Sequence, residues 1–146
     1  MIQVDFYQLS RDPVDRVLPA IAAKVLAGGG RLLVVAAAHD MRAAISAGLW
    51  ESDPASFLAH DHVDSPLAAA QPILLSDRCE AINGGRFIAL ADGQWRDAAL
   101  GFDRAFYFFD GQTIDGARQS WRALKARDDV EPRFWRQEGA RWLQGP

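Results

Sequence analysis

An uninterrupted apolar run, LLVVAAA at residues 32–38, restricts what this chain can fold into. A strand that is apolar at every position is typical of a parallel sheet buried on both faces. Helical spacing of apolar residues precedes the run in DPVDRVLPAIAAKVLAGGG, and a second helix is predicted from HDMRAAISAGLW. The chain opens with IQVDFYQL, whose alternation predicts a strand. This βαβα order predicts a three-layer α/β domain with a mostly parallel sheet.

The ends of the helices carry their own signals. Asp12 is a candidate cap with Pro13 at the first helical position, and Gly28 is expected to end the first helix. Pro19 is expected to kink this helix or to delay its start. Near the other end of the chain, Thr113 is a candidate cap for a helix that must end before residue 132, a proline.

The remaining segments complete the predicted sheet. Residues 51–72 read as an extended surface segment with one turn of helix. Short strands are predicted at ILLS, RFIAL and RAFYFF, and the tail RFWRQEGARWLQ alternates like an edge hairpin. With neither repeats nor a linker, residues 1–146 are expected to form a single domain. Whether Trp135 and Trp142 pack inward is left open by this pattern.

Composition limits the functional class. The hydrophobic fraction of 49% is that of a folded globular chain rather than a disordered one. A single cysteine, Cys79, excludes an internal disulfide and favours the cytoplasm. The N-terminus lacks a signal-peptide pattern, and no window approaches 18 consecutive apolar residues, so we expect no export and no membrane span.

Charge is distributed unevenly. Residues 1–112 hold 9 Lys and Arg against 14 Asp and Glu, or −5, whereas residues 113–146 hold 7 against 5, or +2, which together give the formal net charge of −3. A duplex-binding domain would more often be basic overall, because phosphate contacts supply much of its affinity. The charge therefore argues against DNA itself as the main partner.

Three local motifs suggest chemistry but lack essential parts. HDHVD has a spacing found in metallohydrolases, but Ser65 follows where a further histidine is needed, so two histidines in a polar loop explain it better. The glycines at 28–30 follow a helix rather than a strand, the reverse of a phosphate-binding loop. Cys79 and Ser76 lack the neighbours of a catalytic nucleophile. We therefore expect no metal, no cofactor and no catalytic residue.

A basic, aromatic face on the predicted helix near the C-terminus is more informative. Arg118, Arg122 and Lys125 fall within about 60° of one another on a helical projection, with Trp121 between them and the apolar side. In one interpretation the indole covers the core and the cations are solvated. In the other they form a shallow pocket for an acidic, aromatic ligand, because guanidinium groups bind carboxylates bidentately and stack on rings.

Five segments in order resemble the chi subunit of bacterial DNA polymerase III, a clamp-loader accessory protein: VDFYQL, LWESDPASFLAH, FDRAFYFFD, ARQSWRALK and EPRFWRQ. Together they span nearly the whole chain. The resemblance implies a single Rossmann-like α/β domain with no enzymatic activity of its own, acting in DNA replication within the polymerase III holoenzyme. The alternatives from the residues are a small metal-dependent hydrolase using HDHVD and a direct binder of single-stranded nucleic acid.

The resemblance also implies partners. Chi proteins bind the acidic C-terminal tail of single-stranded DNA-binding protein, which ends in a hydrophobic side chain and a free carboxylate. Matching the helix motif places the tail-binding arginine at Arg118 and its aromatic neighbour at Trp121, with Phe109 from the preceding strand. Arg122 and Lys125 are added from helical geometry as secondary cationic groups that bind the acidic residues.

A second surface is implied for psi, the subunit that connects chi to the clamp loader. The segment that contains Trp50 and Phe57 matches it, although a loop folded onto the core would explain these aromatics equally well. One departure from the family concerns the first site, because Ile114 stands where the family helix has a lysine. Contact with single-stranded DNA is expected only through the tail-bearing protein.

Overall fold

Residues 1–52 and 58–145 are described by a computed structural model, and within them eight strands and three α-helices form an α/β fold. The strands are β1 (Ile2–Gln8), β2 (Leu32–Val35), β3 (His60–His62), β4 (Ile73–Ser76), β5 (Phe87–Leu90), β6 (Arg104–Phe109), β7 (Val130–Glu138) and β8 (Arg141–Gln144). The helices are α1 (Val14–Ala27), α2 (His39–Glu51) and α3 (Ile114–Lys125). Short 3-10 helices lie at Ala68–Ala70 and Asp97–Gly101.

The described strands form one sheet in the order β3-β4-β2-β5-β6-β1-β7-β8. Six of the paired neighbours run parallel, and β7 and β8 alone pair antiparallel. The predicted mostly parallel sheet with a C-terminal edge hairpin is therefore confirmed. The first four residues of the apolar run at 32–38 form β2 in the interior of the sheet, and all four are buried.

Helices cover both faces of the sheet, which confirms the three predicted layers. Leu18 of α1 and Ile45 of α2 belong to one buried apolar cluster. Ala117 and Leu124 of α3 belong to the other cluster, on the opposite face. Right-handed crossovers require this division. Along the sheet, the chain moves from β1 to β2 in one direction and from β6 to β7 in the other, so the connecting helices lie on opposite faces. The sheet consequently separates α3 from α1 and α2.

Two predicted caps are wrong in detail. Asp12 does not cap α1, because its Oδ2 accepts a hydrogen bond from Nε2 of Gln137 at 2.7 Å, and Pro13 takes the capping position instead. Thr113 does stand at the cap position of α3, but its hydroxyl oxygen accepts the backbone N–H of Asp110 at 3.0 Å. Pro19 lies inside α1, which begins at Val14 and so is not delayed. Gly28 ends this helix as expected.

The segment after α2 contains a strand that the sequence pattern did not predict. Residues 60–62 pair in parallel with β4 and form the edge strand β3. The predicted helical turn corresponds to the 3-10 helix Ala68–Ala70. A three-residue strand with the polar sequence HDH carries no alternation that could distinguish it from a loop.

One carboxylate is buried in the sheet without any solvent exposure, that of Asp5 in β1. It accepts hydrogen bonds from Nε of Arg104 at 2.7 Å and from the indole Nε1 of Trp135 at 2.9 Å. Nε2 of Gln3 donates to both of its oxygens. Burial, together with the negative charge of Asp5, raises the pKa of Tyr7 to about 12. Asp5 thus connects β1 to the strands on either side of it.

A close backbone approach positions the start of α3. Gly93 follows β5 with a φ of 76°, and its carbonyl accepts the buried hydroxyl of Tyr107 at 2.7 Å. A Cβ at this residue would lie 2.5 Å from both Cγ2 and Oγ1 of Thr113, the residue that precedes α3. The position therefore requires glycine both for its backbone conformation and for space.

Replacing Gly93 with alanine is expected to lower the free energy of unfolding by about 2–4 kcal/mol, from left-handed backbone strain and overpacking together. Urea denaturation followed by circular dichroism measures the change. The matched control is Gly116→Ala on the exposed side of α3, where a Cβ meets nothing within 4 Å. That substitution should leave stability unchanged or raise it by up to about 1 kcal/mol. Equal effects of the two substitutions would contradict this account of Gly93.

Candidate functional site

The predicted basic helix exists as α3 and packs on the sheet through one side. Ala117 and Leu124 are buried, whereas Arg118, Arg122 and Lys125 are exposed. Trp121 lies between the two sides and is partly buried. The spacing of three and four residues between the apolar positions explains this division, since such residues share one face of a helix.

A hollow of about 410 Å³ opens between α3 and the neighbouring strands. Residues from β1, β6 and β7 form one side of it, and residues of α3 form the other. Its lining consists of Phe6, Gln8, Phe109, Ile114, Ala117, Arg118, Trp121, Arg122 and Phe134. Four of the five residues predicted for tail binding are thus brought together, and they lie beside an apolar recess.

Aromatic rings hold the walls of this hollow in place. Phe6 meets Trp121 edge to face, with ring centroids 5.1 Å apart and planes at 81°. Phe134 meets the same indole at 6.1 Å and 89°. Phe109 lies 6.0 Å from Phe134. These edge-to-face contacts with two rings favour the observed orientation of the indole.

Arg118 and Arg122 border this recess, and few carboxylates of the protein compete with a ligand for the cations of α3. Nη1 of Arg118 lies 3.7 Å from Oδ1 of Asp115, but the two side chains are 64% and 90% exposed, so the pair is weak. Within the residues that the structure describes, no carboxylate lies within ion-pair distance of Arg122 or Lys125. Lys125 does not line the hollow, and its Nζ lies 5.7 Å from the ring of Trp121.

Sequence reasoning found Phe109 but missed the other residues that the strands contribute to the hollow. Phe6 and Phe134 come from β1 and β7, which pair in a register that places these two residues opposite each other. Both lie in segments that carried the family resemblance, VDFYQL and EPRFWRQ, but nothing local indicated that they meet. Gln8, at the end of β1, supplies a polar side chain to the same hollow. Ile114 makes part of the wall apolar where the family has a lysine.

The other predicted surface lies elsewhere. Trp50, in the last turn of α2, is 54% exposed, and its ring centroid lies 4.6 Å from that of His60. Phe57 falls outside the described residues. Trp135 and Trp142 do not line the hollow but pack against the cluster on the face that α1 and α2 cover.

The HDHVD motif forms hydrogen bonds within the protein. Nδ1 of His60 lies 2.8 Å from the carbonyl oxygen of Leu58, and its Nε2 lies 2.8 Å from the hydroxyl of Ser46. Hydrogen bonds from the Ser65 hydroxyl and from the backbone N–H of His62 lower the pKa of Asp61. In the described part of the chain, no three His, Cys, Asp or Glu side chains are grouped to hold a metal ion.

Cys79 shows no sign of a second site among the residues that the structure describes. Burial raises the pKa of the Cys79 thiol, which favours the protonated form over the nucleophilic thiolate. Among the helices of the described residues, none has the length and apolar character needed to cross a membrane.

Fold and hollow together define an α/β domain whose last helix presents cations and an indole beside an apolar recess, an arrangement suited to an acidic ligand. The family model described as DNA polymerase III chi subunit, HolC, matches residues 1–130. The chain therefore belongs to this family of accessory subunits of DNA polymerase III, and its role lies in DNA replication. A comparison with curated proteins gave no match.

Proposed function

We propose that this protein is a non-catalytic subunit that binds the acidic C-terminal tail of single-stranded DNA-binding protein and links it to the clamp loader. The proposal is carried by one observation: Arg118, Trp121 and Arg122 border a common hollow of about 410 Å³. A dry apolar cavity of about 150 Å³ suffices for benzene, so a terminal phenyl ring has ample room.

Each part of the ligand has a complementary group in this hollow. The planar guanidinium of Arg118 accommodates a terminal carboxylate in two parallel hydrogen bonds. Phe109 and Trp121 surround the terminal side chain, and edge-to-face contacts with a ligand ring add to the burial of its surface. Arg122 and Lys125 attract the acidic residues that precede the end of the peptide. Neither a cofactor nor a metal is needed for such binding, and the proposed location is the cytoplasm.

A second surface suits the proposed link to psi. Trp50 lies on α2, in the helical layer opposite that of α3. An exposed tryptophan is a frequent anchor of protein interfaces, and Phe57, which lies outside the described residues, is proposed as the second psi-binding residue. Because the sheet separates the two layers, a helical partner at Trp50 would leave the hollow open. One molecule could thus hold both partners at once.

Arg118→Ala is expected to weaken binding of a labelled acidic peptide with a free C-terminal phenylalanine by about tenfold, because a hydrogen-bonded charge pair is lost. Fluorescence anisotropy measures the affinity, which should lie in the micromolar range and fall as salt rises. The matched control is Arg127→Ala, since Arg127 pairs with Asp129 just beyond α3. The site is wrong if amidating the peptide or removing the Arg118 guanidinium leaves the affinity unchanged.

A pull-down separates this function from its two alternatives. The immobilised chain should retain intact single-stranded DNA-binding protein. It should not retain a version that lacks its last few residues, because the contact is confined to the tail. Retardation of single-stranded DNA by this chain alone would instead favour direct binding through bases and phosphates. Stoichiometric zinc or manganese in the purified protein would favour the hydrolase.

Trp50→Ala should abolish retention of psi, where the organism has one, and leave the peptide affinity unchanged, because the substitution lies on the other face of the sheet. Co-purification of the two subunits and the anisotropy assay give the two readouts. Loss of both activities would indicate that the variant is unfolded, which thermal melting detects. Retention of psi at wild-type level would move its interface away from α2.

A further inference from the structure

The C-terminal hairpin contributes to both faces of the sheet through two consecutive residues. Phe134 lines the hollow and meets Trp121 edge to face. Trp135 points to the opposite face, where its indole N–H donates to Asp5. Consecutive residues of a strand always face opposite sides, and a shift of one residue exchanges them. Whatever fixes the register of β7 therefore also fixes Phe134 in the hollow.

Asp5 is placed to fix that register. Its carboxylate is fully buried in β1 and also accepts Nε of Arg104 from β6. A buried carboxylate is costly unless donors surround it, so a register of β7 that withdrew the Trp135 N–H would be disfavoured. The backbone ladder agrees with the side chains, since it pairs Phe6 with Phe134 across β1 and β7.

Further contacts hold the hairpin against the start of the chain. Nε2 of Gln137 donates to Asp12, and its Oε1 accepts the backbone N–H groups of Arg11 and Asp12. Apart from Val130, the hairpin lies beyond residues 1–130, which the family model matches, so that match assigns no role to Phe134. Its part in the site follows from the packing alone.

We propose that the C-terminal hairpin completes the tail-binding site. Phe134 is the specificity-determining wall for the ligand's terminal ring, and Asp5 is a positioning residue that acts on it from the opposite face through Trp135. This inference rests on the proposed function of the hollow. It predicts that the preference for an aromatic end and the attraction of the terminal carboxylate are set by different residues, Phe134 and Arg118.

Two labelled peptides test this proposal, with the same acidic sequence and free carboxylate but ending in phenylalanine or alanine. Phe134→Leu and Trp135→Phe should each weaken binding of the phenylalanine-ended peptide roughly 3- to 10-fold, because an aromatic contact is lost or misplaced. Neither should change the affinity for the alanine-ended peptide. The matched control is Trp142→Phe in the same hairpin, because that ring packs on the face opposite the hollow, edge-on to Tyr7 at 5.2 Å. This variant should bind both peptides with wild-type affinity.

The outcomes separate this proposal from the function on which it rests. If Trp135→Phe weakens the binding of both peptides equally, or leaves both affinities unchanged as Trp142→Phe does, Asp5 has no positioning role. If Phe134→Leu keeps the wild-type preference for phenylalanine over alanine, the hairpin is not part of the site, and dependence on Arg118 still supports tail binding. If wild type binds neither peptide, the proposed function fails as well. Asp5→Leu, which removes both acceptor oxygens, should reproduce Trp135→Phe when measured where thermal melting shows it folded.

Discussion

Asp5 places a carboxylate inside the sheet at zero solvent exposure, and donors from β1, β6 and β7 compensate for its lost hydration. A buried charge of this kind adds little net stability compared with apolar side chains of the same volume, but removing one of its partners is expensive. The buried carboxylate therefore favours the one strand arrangement that supplies all of its donors. Because Arg104 and Trp135 come from the neighbours of β1 on either side, the same carboxylate sets both strands, and with them the rings that line the hollow.

The division of helices between the two faces gives the protein its two separate surfaces. Chain crossings in opposite directions from β1 and β6 place α1 and α2 on one side and α3 on the other. The proposed linking function needs two independent contacts, and a close-packed sheet between the two proposed surfaces keeps one ligand from obstructing the other. The arrangement also explains why the tryptophans divide as they do. Trp121 serves the α3 side, whereas Trp135 and Trp142 pack against the α1 side.

Local patterns predicted the parts of this structure that depend on local physics. The apolar run at residues 32–38 indicated an interior strand, and helical spacing brought Arg118, Trp121 and Arg122 to one side of α3. Patterns failed where a distant partner decided the outcome. Asp12 reads as a helix cap, but Gln137, 125 positions away, takes its carboxylate. Phe134 was likewise missed, because its place in the hollow depends on parallel pairing between β1 and β7, which leaves no signal in either segment alone.

Ile114 bears on how the proposed binding would divide between charge and burial. Where the family helix has a lysine, this chain adds an apolar wall, so the recess holds more apolar surface and fewer cations. The protein as a whole is acidic, with a net charge of −3, so its overall charge gives no attraction for long polyanions. A short peptide that buries one ring brings its few charges close to Arg118 and Arg122, where their attraction is strongest. In the proposed complex, burial of the ring thus favours a tail over a nucleic acid, and the cations then orient it.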